Sequence, residues 1–196
     1  MAILELVHFP NPILSKKAET VKTVTPELLV LAQDMIETMY DAPGVGLAAN
    51  QIGRPERLAV IDTRSRDKKG EVIENELSES EKKLTFPLIL FNLEILKTSG
   101  QANSEEGCLS VPGYIDLVKR HEFVTARAMN EKGETVEIEA DGLLAICLQH
   151  ECDHLDGNLF IDRLSPIRRN MLKQKIKKHG YPKYPKGRDP SKSVRT

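Results

Sequence analysis

Residues 142–154 read GLLAICLQHECDH. Leu143 to Leu148 is apolar without a break, so a helix here is expected to be buried on nearly all sides. Asp141-Gly142 opens it, and Gly157 supplies the glycine that ends helices in a left-handed cap. Within that buried helix His150 and His154 lie one turn apart and differ by only about 40° around the axis. Two imidazoles so placed can ligate one ion, and Glu151 beside them can reach a water on it. His, Glu, Asp and His within five positions of a buried helix must all be satisfied, and a metal ion does so with few groups.

The third protein ligand lies elsewhere. No glutamate follows Glu151, and the HExxHxxGxxH pattern fails because Phe160 stands at its last position, so the two common zinc-peptidase arrangements are closed. Asp156 faces away from the histidine pair on helical geometry. Asp162 remains formally available. Cys152 points roughly 160° from His154, Cys147 sits a turn back, and His179 falls in a basic surface helix. Cys108, in Glu106-Gly-Cys-Leu-Ser110, remains: a cysteine after glycine in a segment of tight turns can approach a metal closely. One thiolate and two imidazoles leave a coordination position open, as a catalytic site requires.

Outward from this helix the chain reads as mixed. Thr25-Pro26 is a capping hydroxyl followed by proline at the first helical position, and Leu28, Leu31, Met35 and Met39 form the stripe of a helix ending near Asp41-Ala-Pro43-Gly44. The run LAVI at 58–61 is a short buried strand, and 86–96 a longer one. Residues 123–129 and 135–140 alternate around Asn130-Glu-Lys-Gly133 as a hairpin. Of the 22 residues from 62 to 83, thirteen are charged, which predicts an exposed loop or ragged hairpin outside the core. A third helix from Ser165-Pro166 to about Lys178 carries Arg168, Arg169, Lys173, Lys175, Lys177 and Lys178, and a lysine- and proline-rich flexible tail follows. The division expected is a catalytic domain at 1–165 and a basic helix with tail at 166–196.

Composition bounds the class. The 196 residues hold 28 Lys+Arg against 29 Asp+Glu, a net charge of −1, which argues against a dedicated DNA or RNA binder. Three cysteines cannot form a fully paired framework, so a reducing compartment is expected. No apolar run approaches the roughly 20 residues of a membrane span, and the opening MAILELVHFP lacks a secretory pattern. The expectation is one cytoplasmic α+β domain with antiparallel sheet packed around the central HExxH helix.

Three segments together, GVGLAANQ at 44–51, EGCLS at 106–110 and QHECDH at 149–154, resemble the peptide deformylases, in that family's order and spacing. The resemblance covers about residues 3–165. It implies a compact α+β fold and an enzyme that removes formyl from the N-terminal formylmethionine of new polypeptides. It implies one divalent metal ion, Fe2+ in cells, with Zn2+, Ni2+ or Co2+ able to occupy the site. Cys108, His150 and His154 match the metal ligands and Glu151 the catalytic glutamate. Gln51 matches the glutamine whose amide supports the transition state, and Leu109 the residue giving a backbone N–H there. Asn50 stands where proline or threonine is common, a change expected to alter loop stiffness and not chemistry.

On that resemblance, the methionine side chain needs an apolar pocket beside the metal. Val45 and the buried helix face, Leu143, Ile146 and Cys147, are the candidates; helical spacing puts Leu143 and Ile146 on or near the face leading to His150. The peptide backbone is expected to pair with Val45 and Gly46 as an added strand, with Gly113-Tyr114 on the other side. The partners expected are formyl-Met nascent chains and, through the basic C-terminal helix, a transient ribosome contact. Without the resemblance two further readings stay open: another metal-dependent amidase, and a structural metal domain that binds a macromolecule.

Overall fold

The computed structural model describes residues 2–66, 71–73 and 76–181. Helix α1 (Pro26–Asp41) starts where Thr25 Oγ1 accepts the Leu28 N–H at 3.4 Å, with Pro26 as its first residue. It buries Ala32, Met35, Ile36 and Met39. A turn at Pro43-Gly44 leads into strand β1 (Gly46–Ala48), a 3-10 turn at Ala49–Ile52, and β2 (Leu58–Ile61). Then follow β3 (Leu88–Ser99), β4 (Ala102–Glu106), β5 (Asp116–Arg120), β6 (Phe123–Met129), β7 (Thr135–Ala140), α2 (Gly142–Leu155) and α3 (Pro166–His179).

Five strands form one antiparallel sheet in the order β1-β2-β3-β6-β7, and β4 pairs with β5 as a separate ribbon. The sheet carries a helix on each face. Leu58 and Val60 of β2 pack with Met35, Met39 and Phe91 on the α1 side. Ala59 and Ile61 point the other way, to Ala145, Leu148 and Leu155 of α2. That two-sided burial is why LAVI has no polar residue. A third cluster of Leu14, Val111, Val118, Phe160, Ile161 and Ile176 joins the N-terminal segment, the β4–β5 ribbon and α3. Fold class and the central HExxH helix agree with expectation: α2 is buried on nearly every face and contacts β1, β2, β3 and β6.

The β6–β7 hairpin has the expected bounds, its turn held by Asn130 Oδ1 accepting the N–H groups of Lys132 and Glu134 at 3.0 and 2.9 Å. Gly157, at φ +78°, lies just past α2 as expected. Two expectations need correction. β3 runs on to Ser99, and the β4–β5 ribbon was not foreseen, because ANSEE is too polar to read as a strand. The charged stretch is not wholly outside the core either. Asp62, Thr63 and Glu81 are buried, with Thr63 Oγ1 donating to Glu81 and Tyr40 OH to Asp62 at 2.6 Å. The remainder of that expectation at 67–70 and 74–75, and the tail from 182 on, lie outside the described residues. Among the described residues no helix is long and apolar enough to cross a membrane.

Arg57 fixes α2 from its C-terminal end. Its guanidinium donates to Leu93 O at 2.8 and 3.1 Å, to Leu155 O at 3.0 Å and to Asp156 Oδ1 at 2.8 Å. It satisfies the Leu155 carbonyl at the negative end of the helix dipole and the Leu93 carbonyl of β3. Arg57→Met is expected to cost about 2–4 kcal/mol, read by denaturant unfolding, because it strands buried acceptors. An unchanged midpoint would show the clamp to be idle.

Candidate metal centre

Two elements bring the donors together. α2 holds His150 and His154 on one face, and the turn after β4 carries Cys108 back onto them. The His154 and His150 Nε2 atoms are 3.2 Å apart, and Cys108 Sγ is 3.2 Å from His154 Nε2. All three donor atoms lie within 4.8 Å of one another. Nitrogens bound tetrahedrally to one ion at about 2.0–2.1 Å stand about 3.3 Å apart, so the donor set fits a single divalent cation. The other sequence candidates are engaged elsewhere: Cys152 Sγ is 3.9 Å from Arg57, Asp156 pairs with Arg57, and Asp162 pairs with Lys173 at 2.9 Å.

Behind the donors runs a buried chain of charge. His150 Nδ1 is 2.9 Å from Glu106 Oε2, a contact that turns its Nε2 toward the cluster. Glu106 takes Arg120 bidentately at 2.6 and 2.8 Å. Arg120 reaches Asp153 at 2.6 Å, and Arg163 closes on the same carboxylate. Phe160 stacks against the His150 ring at 6.5 Å. Burial lowers the His150 basicity, but hydrogen bonds and charge from Cys108 and Glu106 overcome this and raise it well above the ordinary value. Burial, His150 and Arg120 together push His154 well below it. Sequence reasoning missed Glu106, Arg120 and the role of Asp153. The signal was strand parity: Val118 and Arg120 share a face of β5, and an arginine facing a core needs carboxylates.

Burial by itself would raise the Glu106 carboxyl, yet the bonds and charges of Arg120 and His150 hold it at about 2. The stabilisation linked to this group is therefore complete above its unfolded value of about 4.5 and drains away as pH falls toward 2. Its size is about 3 kcal/mol. Acid unfolding of Glu106→Gln, which cannot titrate there, should show a shallower loss of stability between those limits; an identical slope would remove Glu106 from the account.

Glu151 is 2% exposed, and its Oε2 has no hydrogen-bond partner among the described residues. Burial chiefly raises its carboxyl, to about 7, with Glu106 and Asp153 adding to the rise and His150 and Arg120 opposing it. A Cβ on Gly46 would lie 2.3 Å from Glu151 Oε1 and 2.8 Å from Cys147 Sγ, so only glycine lets β1 pass this closely. Gln51 is buried in the 3-10 turn after β1. Its Oε1 accepts the Ala48 N–H at 2.8 Å, so Nε2 faces the centre, 3.5 Å from Cys108 Sγ and 3.3 Å from Ser110 Oγ. Leu109 packs in the cluster under α1, where its Cδ1 would lie 2.9 Å from a Cβ on Gly44. Asn50 does more than set stiffness. It is buried, and its Nδ2 donates to His154 O, tying the GVGLAANQ turn to the ligand helix.

Of the candidate pocket residues, Cys147 is buried with Sγ 3.6 Å from Val45 O, and Ile146 is partly buried. Val45 and Leu143 stand 42% and 49% exposed, as rim residues would. A buried carboxylate beside three convergent donors, with an amide aimed at them, can activate water and stabilise a developing oxyanion.

The polypeptide deformylase family model matches residues 3–170. A peptide deformylase of Syntrophobacter fumaroxidans is 47% identical over 178 residues, 91% of this chain and 96% of the relative. One from Thermodesulfovibrio yellowstonii is 45% identical over 177 residues, 90% and 98% respectively. Among solved structures, a peptide deformylase of Legionella pneumophila superimposes with a TM-score of 0.75 at 44% identity, covering 90% of this chain and 95% of that one. A class I type b peptide deformylase of Acinetobacter baumannii with Met-Ala-Ser bound gives 0.73 at 30% identity, covering 83% and 99%.

Proposed function

The chain belongs to the peptide deformylase family, metal-dependent hydrolases that remove the N-formyl group from nascent polypeptides, and on that premise we propose how its residues share the work. The carrying observation is the convergence of Cys108 with His150 and His154 of the helix that also carries the buried Glu151 carboxylate, whose Oε2 has no hydrogen-bond partner among the described residues. Cys108, His150 and His154 would hold the ion, with Glu106 fixing the His150 ring. When bound, the ion supplies Lewis acidity toward a carbonyl oxygen and a water.

Glu151 takes the proton from the attacking water and returns it to the departing amine nitrogen. Its raised affinity for a proton suits both halves of that exchange. Gln51 Nε2, held by Ala48, and the Leu109 N–H donate to the carbonyl oxygen as charge builds on it. β1 is an edge strand, so Val45 and Gly46 can accept the peptide backbone, with Val45, Leu143, Ile146 and Cys147 around the methionine side chain. The Met-Ala-Ser bound to the Acinetobacter relative supports a peptide beginning with methionine.

We take the resident ion to be Fe2+, with Zn2+, Ni2+ or Co2+ competent, since thiolate with imidazole suits all four. We place the enzyme in the cytoplasm, where nascent chains arise, with three free thiols in keeping. Residues 1–165 form the catalytic unit and 166–196 a basic appendage. α3 exposes Lys178 on the face of Ile167 and Met171, which are 75% and 66% exposed, with Arg168, paired to Asp116 at 3.0 Å, beside them, a surface suited to transient ribosome contact. Cosedimentation with ribosomes should weaken with salt and vanish in a chain ending at Pro166.

The decisive assay is anaerobic purification, metal analysis and hydrolysis of formyl-Met against acetyl-Met peptides on one sample. Deacylation of the formyl peptide, with formate released, and no release of acetate from the acetyl peptide are expected. Equal cleavage of both would make it a broader amidase. Gly46→Ala, whose methyl would displace the Glu151 carboxylate, should lower kcat about 10²-fold with metal content retained. An unaffected kcat would mean that Glu151 tolerates displacement.

A further inference from the structure

Ser110 is fully buried and tied at three of its own groups. Its Oγ is 3.3 Å from Gln51 Nε2, its N–H is 3.4 Å from Cys108 Sγ, and its carbonyl accepts the Phe9 N–H at 2.9 Å. A further contact comes from the far end of the described chain. The Tyr181 hydroxyl lies 2.6 Å from Phe9 O and 3.5 Å from Ser110 O, so one phenol touches both partners of that backbone bond. The ring is held in turn: it sits 5.5 Å from His8 and 6.2 Å from Tyr114, in the same cluster as Cys108 and Val111. Gly180, at φ +68°, turns the chain off α3 to bring the ring there. The family match ends at residue 170, so Tyr181 lies beyond it.

We propose that Tyr181 is a positioning residue for the metal centre, acting through Phe9 and Ser110 to hold the Cys108–Ser110 turn. Its hydrogen bonds among the described residues go to Phe9 O and Ser110 O, not to a ligand atom. Its hydroxyl donates to Phe9 O at 2.6 Å, the Phe9 N–H holds Ser110 O at 2.9 Å, and that chain of bonds sets where the Ser110 N–H and Oγ point. The first steadies the Cys108 sulfur and the second steadies the Gln51 amide. A phenol is a donor at neutral pH, so this bond persists there. Within this turn the Val111 N–H also bonds Cys108 O at 2.9 Å, so a displaced Ser110 carries the Cys108 sulfur with it.

The test uses the full chain loaded with Co2+, whose thiolate absorption band reports the Cys108 bond, and follows metal release to a chelator alongside kcat and KM for a formyl-Met peptide. Tyr181→Phe is expected to release cobalt about three- to ten-fold faster, to weaken the thiolate band and to lower kcat by a similar factor with KM unchanged. A chain ending at Gly180 should show the same changes, enlarged. Ile176→Val, which loosens the buried anchor of α3 without touching Ser110, should lower Tm yet keep the parent band, release rate and kcat. Parent values in Tyr181→Phe, or equal changes in Ile176→Val, overturn the proposal, the second by assigning the effect to helix anchoring. The proposal rests on the deformylase reading, but the two fail separately: an inactive, metal-loaded parent would sink that reading, while band and release would still judge Tyr181.

Discussion

Glu151→Gln should fold, bind metal at the parent level and lose about 10²–10⁴-fold in kcat. The amide is isosteric with the acid, so the close pass of Gly46 and the packing against Cys147 survive. What disappears is a proton acceptor, because an amide oxygen cannot take the proton of an attacking water at neutral pH. The Glu151 Oε2 has no partner among the described residues, so the substitution breaks no ion pair, and Tm should move little. Steady-state kinetics with metal analysis on the same sample check this. A near-parent rate at full metal content would remove Glu151 as the base and leave the water to be activated by other groups.

Cys108→Ala should lose the metal and the activity together. Two imidazoles on one helix cannot by themselves match the affinity of a three-donor set that includes a thiolate. The variant should purify with metal well below one equivalent and release formate at background rate. Its fold should persist, since Cys108 is only partly buried and α2 is anchored independently through Arg57 and the sheet. Full occupancy with retained turnover would transfer the third ligand elsewhere. Cys147 would then be the thiol to examine, although its Sγ faces Val45 O. Cys108→Ser is less informative, because a hydroxyl can still ligate weakly.

The legible parts of this chain are local. The α2 helix, its two imidazoles and Glu151 follow from a 3.6-residue period inside one apolar run. The α1 cap and the β6–β7 hairpin follow from residues adjacent to them in sequence. The α3 helix was equally readable from Ser165-Pro166. The β4–β5 ribbon was not, because its strands are polar and its reason for existing is a partner elsewhere: Glu106 and Arg120 face inward to serve His150 and Asp153. The burial of Asp62 and Glu81 was hidden likewise, since high charge density predicts exposure unless the pairing side chains are known. Asn50 looked like a matter of stiffness because its acceptor, His154 O, is 104 residues away.

Periodicity, capping residues and the spacing of two histidines determined most of the elements and the buried helix that carries His150, Glu151 and His154, because each depends on neighbours within a turn or two. Only the folded chain decided that the thiolate of Cys108, the amide of Gln51 and the ring of Tyr181 meet at Ser110. Those distances depend on how the sheet, the ribbon and α3 pack, and packing over long separations leaves no period in the sequence.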